Sequence, residues 1–145
     1  MITKTSECVD KLNGLLKGEL SALETYRQAL EKIKDQNAKE VLMTCHACHS
    51  SRVDTLVEKI VEYGGKPTES SGAWGAFAKL MEGGATVFGD KAAIAVLEEG
   101  EDKGLSDYKK MVADSNTDIK AIAISLMPKQ EKTHMSLRDL KHSLN

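Results

Sequence analysis

Four long amphipathic segments run along this chain, and each loses its apolar stripe midway to a carboxylate or an imidazole. In the first, Val9, Leu12, Leu16, Leu23, Tyr26, Leu30 and Ile33 recur at steps of three and four, one face of a helix, and the missing step is Glu19. In the second, running to about Tyr63, the stripe Leu42, Val53, Leu56, Ile60, Tyr63 is joined only through His46 and His49. The third, roughly Asp90 to Ala113, carries Ile94, Leu105, Tyr108 and Val112 around Glu98 and Glu101. The fourth, from Thr117 or Asp118, has Ile119, Ile122, Ile124, Leu126 and Met127, then Glu131, His134, Leu137, Leu140 and Leu144. Helices with one apolar face and no other means of burying it assemble face to face, so the expected fold is an all-α four-helix bundle.

Local signals place the boundaries. Thr5 or Ser6 can cap the first helix, and Gly64-Gly65 ends the second by supplying positive φ. Lys66 to Gly72 reads as a loop, and Trp74, Phe77, Leu80 and Met81 as a short amphipathic helix before Gly83-Gly84. So long a connection exceeds what adjacent antiparallel helices need and predicts a crossover between helices two and three. Pro128 lacks a backbone donor; it is expected to kink the fourth helix before Glu131, with room for its seam to shift by one residue. Aromatic residues at 4% and only 2 prolines favour helices over strands, and 145 residues suit one domain spanning 1–145.

The interruptions carry the chemistry. An ionised group stranded in a helical core costs several kcal/mol, so charged side chains at one height on four seams need a partner, and a divalent metal is one. Residues three apart share a helix face, which lets His46 with His49, and Glu131 with His134, reach one ion. The candidate ligands are therefore Glu19, His46, His49, Glu101, Glu131 and His134, with Glu98 in reserve. Helix one contains Gly18-Glu19-x-x-x-Leu23-x-x-Tyr26 and helix three Gly100-Glu101-x-x-x-Leu105-x-x-Tyr108, a repeat that makes the halves related hairpins. The two tyrosines are core aromatics placed to hydrogen-bond a polar centre.

Glu19 with Tyr26, Glu101 with Tyr108, and Glu131-x-x-His134 resemble the ligand helices of rubrerythrin and other ferritin-like proteins. Over nearly its whole length, through Leu12-Asn13, Gly64-Gly65-Lys66-Pro67, Gly89-Asp90-Lys91 and Gly100-Glu101-Asp102, the chain is similar to a bacterial ferritin-like family of unknown function. The resemblance implies a ferritin-like bundle with a crossover, bound iron, and an oxidoreductase acting on peroxide or dioxygen. His46-x-x-His49 stands where rubrerythrins have Glu-x-x-His, and because an imidazole cannot bridge two metals as a carboxylate does, zinc, manganese or a mononuclear site enters beside di-iron. The alternative is a non-enzymatic bundle with an empty or structural metal site, serving as a stress-related or interaction module.

Other classes are disfavoured. With 20 basic and 22 acidic residues well mixed, no basic face offers itself to nucleic acid, and no polybasic tail or long apolar run to a membrane. The N-terminus lacks a signal-peptide pattern, which predicts a cytoplasmic protein with its 3 cysteines reduced. Cys45-His46-Ala47-Cys48-His49 matches the c-type haem sequence C-x-x-C-H, but haem attachment is not expected midway along an amphipathic helix in a protein without an export signal. Cys8 reads as a small buried apolar residue. A bundle of this size is compatible with a homodimer, though no second seam marks an interface.

Overall fold

The computed structural model describes residues 2–69 and 85–144. Within them the chain forms four helices: α1 (Ile2–Lys32), α2 (Gln36–Glu62), α3 (Ala85–Val112) and α4 (Thr117–Ser143). The expected short helix around Trp74, Phe77, Leu80 and Met81 lies outside the described residues. α1 begins at Ile2, so Thr5 and Ser6 fall inside its first turns rather than capping it. Gly89, at φ 75°, interrupts α3, and regular helix resumes at Asp90.

The ends are fixed by short polar side chains. Asp35 caps α2 by accepting from Ala38 N at 2.8 Å, and Asn116 caps α4 by accepting from Asp118 N and Ile119 N. Asp90 Oδ2 accepts from Asp35 N at 2.8 Å, which ties the start of α3 to the α1–α2 turn. At the opposite end Lys11 Nζ reaches Asp114 Oδ2 at 2.6 Å, and the Asn13 carboxamide bonds Lys66 O and Thr68 N. These contacts set the directions: α1 runs against α2 and α3, and α4 runs with α1. The α2–α3 connection starts at one end of the bundle and finishes at the other, as a crossover must.

Two apolar cores fill the interior. One gathers Tyr26, Ile33, Leu42, Ile94, Leu97, Leu137 and Leu140 towards the α1–α2 turn. The other gathers Leu12, Leu16, Leu56, Ile60, Ile119 and Leu126 towards the α3–α4 turn. Each buried Leu or Ile contributes about 1.5–3 kcal/mol, so these two clusters supply most of the drive for assembly. Between them lies a layer of buried polar residues, Glu19, His49, Arg52, Glu101, Gln130 and Thr133. No helix among the described residues is long and apolar enough to cross a membrane.

Candidate functional site at the bundle centre

Each helix contributes to the polar layer through its own heptad-like spacing. Glu19 on α1 sits between Leu16 and Ala22 on the buried face, and Glu101 on α3 follows Ile94 and Leu97. On α2 the buried face runs Ala38, Leu42, Cys45, His49, Arg52, Leu56, Ile60. On α4 it runs Ile119, Ile122, Ala123, Leu126, Gln130, Thr133, Leu137, Leu140.

His49 is the hub. Its Nδ1 lies 2.5 Å from Glu19 Oε1 and its Nε2 lies 2.6 Å from Glu101 Oε2. The tyrosines cross between hairpins: Tyr26 donates to Glu101 Oε2 and Tyr108 to Glu19 Oε2, each at 2.5 Å. Glu101 Oε1 also accepts from Thr133 Oγ1 at 2.7 Å and Gln130 Nε2 at 3.0 Å. Arg52, 0% exposed, donates to Gln130 Oε1, reaches Thr133 Oγ1 at 3.0 Å, and lies 3.3 Å from Glu19 Oε2. Its Nε is buried without a hydrogen-bond partner.

Glu101 accepts from Tyr26, Thr133 and Gln130, and Glu19 accepts from Tyr108 beside the Arg52 guanidinium, surroundings that favour two carboxylates and, with one on each side of its ring, an imidazolium at His49. Burial works against charge on His49, but its hydrogen bonds to Glu101 and Glu19 outweigh it and raise its pKa above the ordinary value. Burial would likewise lift the Glu101 carboxyl, yet the His49, Tyr26 and Thr133 contacts win and hold it below its usual range. Burial and then the neighbouring Glu101 carboxylate push the Tyr26 hydroxyl far up, so it stays a donor. The layer balances: two carboxylates against one imidazolium and one guanidinium.

The structure thus brings together Glu19, His49 and Glu101 of the residues expected at a common centre, and parts them from His46, Glu131 and His134. His46 is half-buried and Glu131 exposed. The α4 register explains the difference: stepping from Leu126 to Leu137 along the buried face passes through Gln130 and Thr133, one residue short of Glu131 and His134. α4 is continuous through Pro128, and its buried positions keep steps of three and four from Ile119 to Leu140, so the expected shift of the seam at the proline does not occur. On α2 the continuation from Leu42 goes by Cys45 and not His46, which leads to Arg52. His134 instead bonds Asp102 through Nε2 at the rim, where Glu98, Asp102 and His134 bring ligand atoms within 4.8 Å of one another.

Di-iron carboxylate bundles present one Glu from each of two helices and Glu-x-x-His from each of the other two. Here α1 and α3 supply Glu19 and Glu101, but α2 presents His49-x-x-Arg52 and α4 Gln130-x-x-Thr133. A guanidinium has no lone pair to offer a metal, and neutral amide and hydroxyl groups are poor replacements for a carboxylate and an imidazole. The central residues therefore do not fit a dimetal centre. Arg52, Gln130 and Thr133 were not legible as functional residues, because each on a helix surface is commonplace; the signal lay in their falling at steps of three and four between buried leucines.

Of Cys45 and Cys48, the first is buried, its thiol pushed up to about 12 by burial and by the Glu101 charge, and the second is half-buried. Both nitrogens of His49, the histidine of the C-x-x-C-H sequence, are engaged by carboxylates.

The architecture has a solved counterpart. A crystal structure described as ferritin like, diiron-carboxylate proteins from Bacillus anthracis str. Ames matches with a TM-score of 0.78 at 20% identity, over 97% of this chain and 99% of that one. No curated protein matches. The likeness identifies the fold as a ferritin-like four-helix bundle. Residues 7–114, from the first helix to the end of the third, match the family described as Domain of unknown function (DUF2383), and the chain belongs to that family.

Proposed function

We propose that this protein is a ferritin-like bundle that binds a divalent cation at the rim of its polar layer, through Glu98 and Asp102 of α3 and His134 of α4. The observation that carries the reading is the convergence of three donors of two chemical types from two helices. Glu98 and Asp102 are four apart and share a face, and His134 faces them from the neighbouring helix. The side chains of Glu98 and His134 are 14% and 17% exposed, which limits the freedom lost on binding. Lys141 Nζ, 3.7 Å from Glu98 Oε2, already brings a positive charge to the spot and would yield to an ion.

Two carboxylates and an imidazole suit zinc, manganese or iron(II), with water completing the shell. Metal analysis of the native protein, repeated on His134→Ala and Glu101→Gln, tests this. About one equivalent per chain is expected, lost in the first variant and kept in the second. No stoichiometric metal in the native protein would refute it.

A second reading, an iron oxidoreductase acting on peroxide or dioxygen, is favoured by the diiron-carboxylate description of the Bacillus anthracis neighbour. It requires iron in a central layer where Arg52, Gln130 and Thr133 stand in place of ligands, and only peroxide consumption by iron-loaded protein that disappears in Glu101→Gln would support it over the rim site.

A further inference from the structure

We infer that the centre of this bundle supplies its own cations and is closed to metal ions, His49 and Arg52 standing where metal ligands would otherwise project from α2. The inference concerns the centre alone and is independent of the rim site.

Three observations carry it. The four carboxylate oxygens are all engaged: Glu19 Oε1 by His49, Glu19 Oε2 by Tyr108 and Arg52, Glu101 Oε2 by His49 and Tyr26, Glu101 Oε1 by Gln130 and Thr133. An entering ion would have to displace a donor at every oxygen it took. Second, the Arg52 guanidinium already offsets one of the two carboxylates, so a divalent ion would leave the layer with surplus positive charge away from water even if it displaced the proton of His49. Third, Arg52 is fully buried and held by Gln130 and Thr133 from α4. Unlike a lysine or histidine, it cannot shed its proton to make room. Glu19 could reach a metal only within a few ångströms of this fixed guanidinium.

The chemistry of the replacement is specific. A protonated imidazole between two carboxylates and a guanidinium clamped by an amide and a hydroxyl tie the four helices as a pair of ions would, but with fixed, saturable hydrogen bonds and no open position for a small molecule. The residues that decide between the two states are then four: His49, Arg52, Gln130 and Thr133.

The test is Co²⁺ titration followed by visible absorption in a His134→Ala background, where the rim is silenced and the two proposals fail separately. The otherwise unchanged protein is expected to take up no Co²⁺ in its centre. Adding His49→Glu, Arg52→His, Gln130→Glu and Thr133→His is expected to create a site for about two ions per chain. Uptake by the His134→Ala protein that is lost with Glu101→Gln would overturn the inference. So would a four-substituted variant that keeps its helical circular dichroism and binds nothing. Should that variant not fold, the ring nitrogens of His49 decide in the native protein: two N–H resonances near neutral pH, both absent in His49→Gln, are expected, and a single N–H would contradict self-neutralisation.

Discussion

Replacing Arg52 by Met isolates the contribution of the buried cation. The substitution removes the contacts to Gln130 and Thr133 and the 3.3 Å approach to Glu19 Oε2, and leaves two carboxylates facing one imidazolium at a site with no access to water. Stranding one partner of a buried ion pair costs about 3–5 kcal/mol. Against this, Met keeps most of the packing volume and removes the orphaned Nε donor, an offset of about 1 kcal/mol at the low end of the cost of a buried unpaired group. The net expectation is a loss of about 2–4 kcal/mol, a large part of the roughly 5–15 kcal/mol that holds a domain of this size. Pairing it with Glu19→Gln restores neutrality, so the double variant is expected to lose less than the sum of the two single losses. Urea unfolding followed by circular dichroism, with chelator present throughout, reads all four states of this cycle. If Arg52→Met stays within about 1 kcal/mol of the parent, or if the two losses simply add, the guanidinium is not the counter-charge of this layer.

Two further predictions follow from the same layer. Glu101 has a lowered folded pKa, so its contribution is present above its unfolded value near 4.5 and is lost as pH falls through the folded one; His49 has a raised folded pKa, so its contribution is full below 6.5 and is lost as pH rises through the folded one. With Glu19 and Glu101 facing the imidazole, Arg52 one turn away and only neutral Gln130 and Thr133 from α4, thermal melts should be highest between these limits, and His49→Gln should flatten the alkaline side; an unchanged alkaline limb in that variant would contradict the assignment. Gly104→Ala should destabilise by about 1–3 kcal/mol despite the better helix propensity of Ala, because the added Cβ would lie 2.8 Å from Gln130 Nε2, whereas Gly14→Ala, with nothing within 4 Å, should be neutral or stabilising by up to about 1 kcal/mol. Equal effects of the two glycine substitutions in chemical denaturation would show that Gln130 is not held in place.

Much of the architecture was legible because apolar spacing and chain punctuation speak directly of packing. Leu12, Leu56, Ile60, Ile94 and Leu137 fall inside as the period demands, and the repeated Glu-to-Tyr spacing pointed to Glu19 and Glu101 as buried equivalents. The register of the polar steps on α2 and α4 was the part that sequence could not resolve. His46 and Arg52 differ by less than a turn in the direction they face, and a histidine reads as a ligand where an arginine reads as solvent-facing; only the packed neighbours decide which is enclosed. On α4, Glu131-x-x-His134 is the chemically suggestive pair, yet burial follows the leucines, and those select Gln130 and Thr133. The missed layer is thus one in which the residue identities hide the role and the spacing reveals it.

The crossing of the tyrosines reaches beyond the centre itself. Since Tyr26 serves the carboxylate of α3 and Tyr108 that of α1, neither repeated half can complete its own acid's solvation. A fragment made of α1 and α2 alone would keep Glu19 and His49 while losing Tyr108, Glu101 and the α4 clamp on Arg52. The duplicated hairpins have in this sense surrendered their autonomy: each has become the missing solvent of the other.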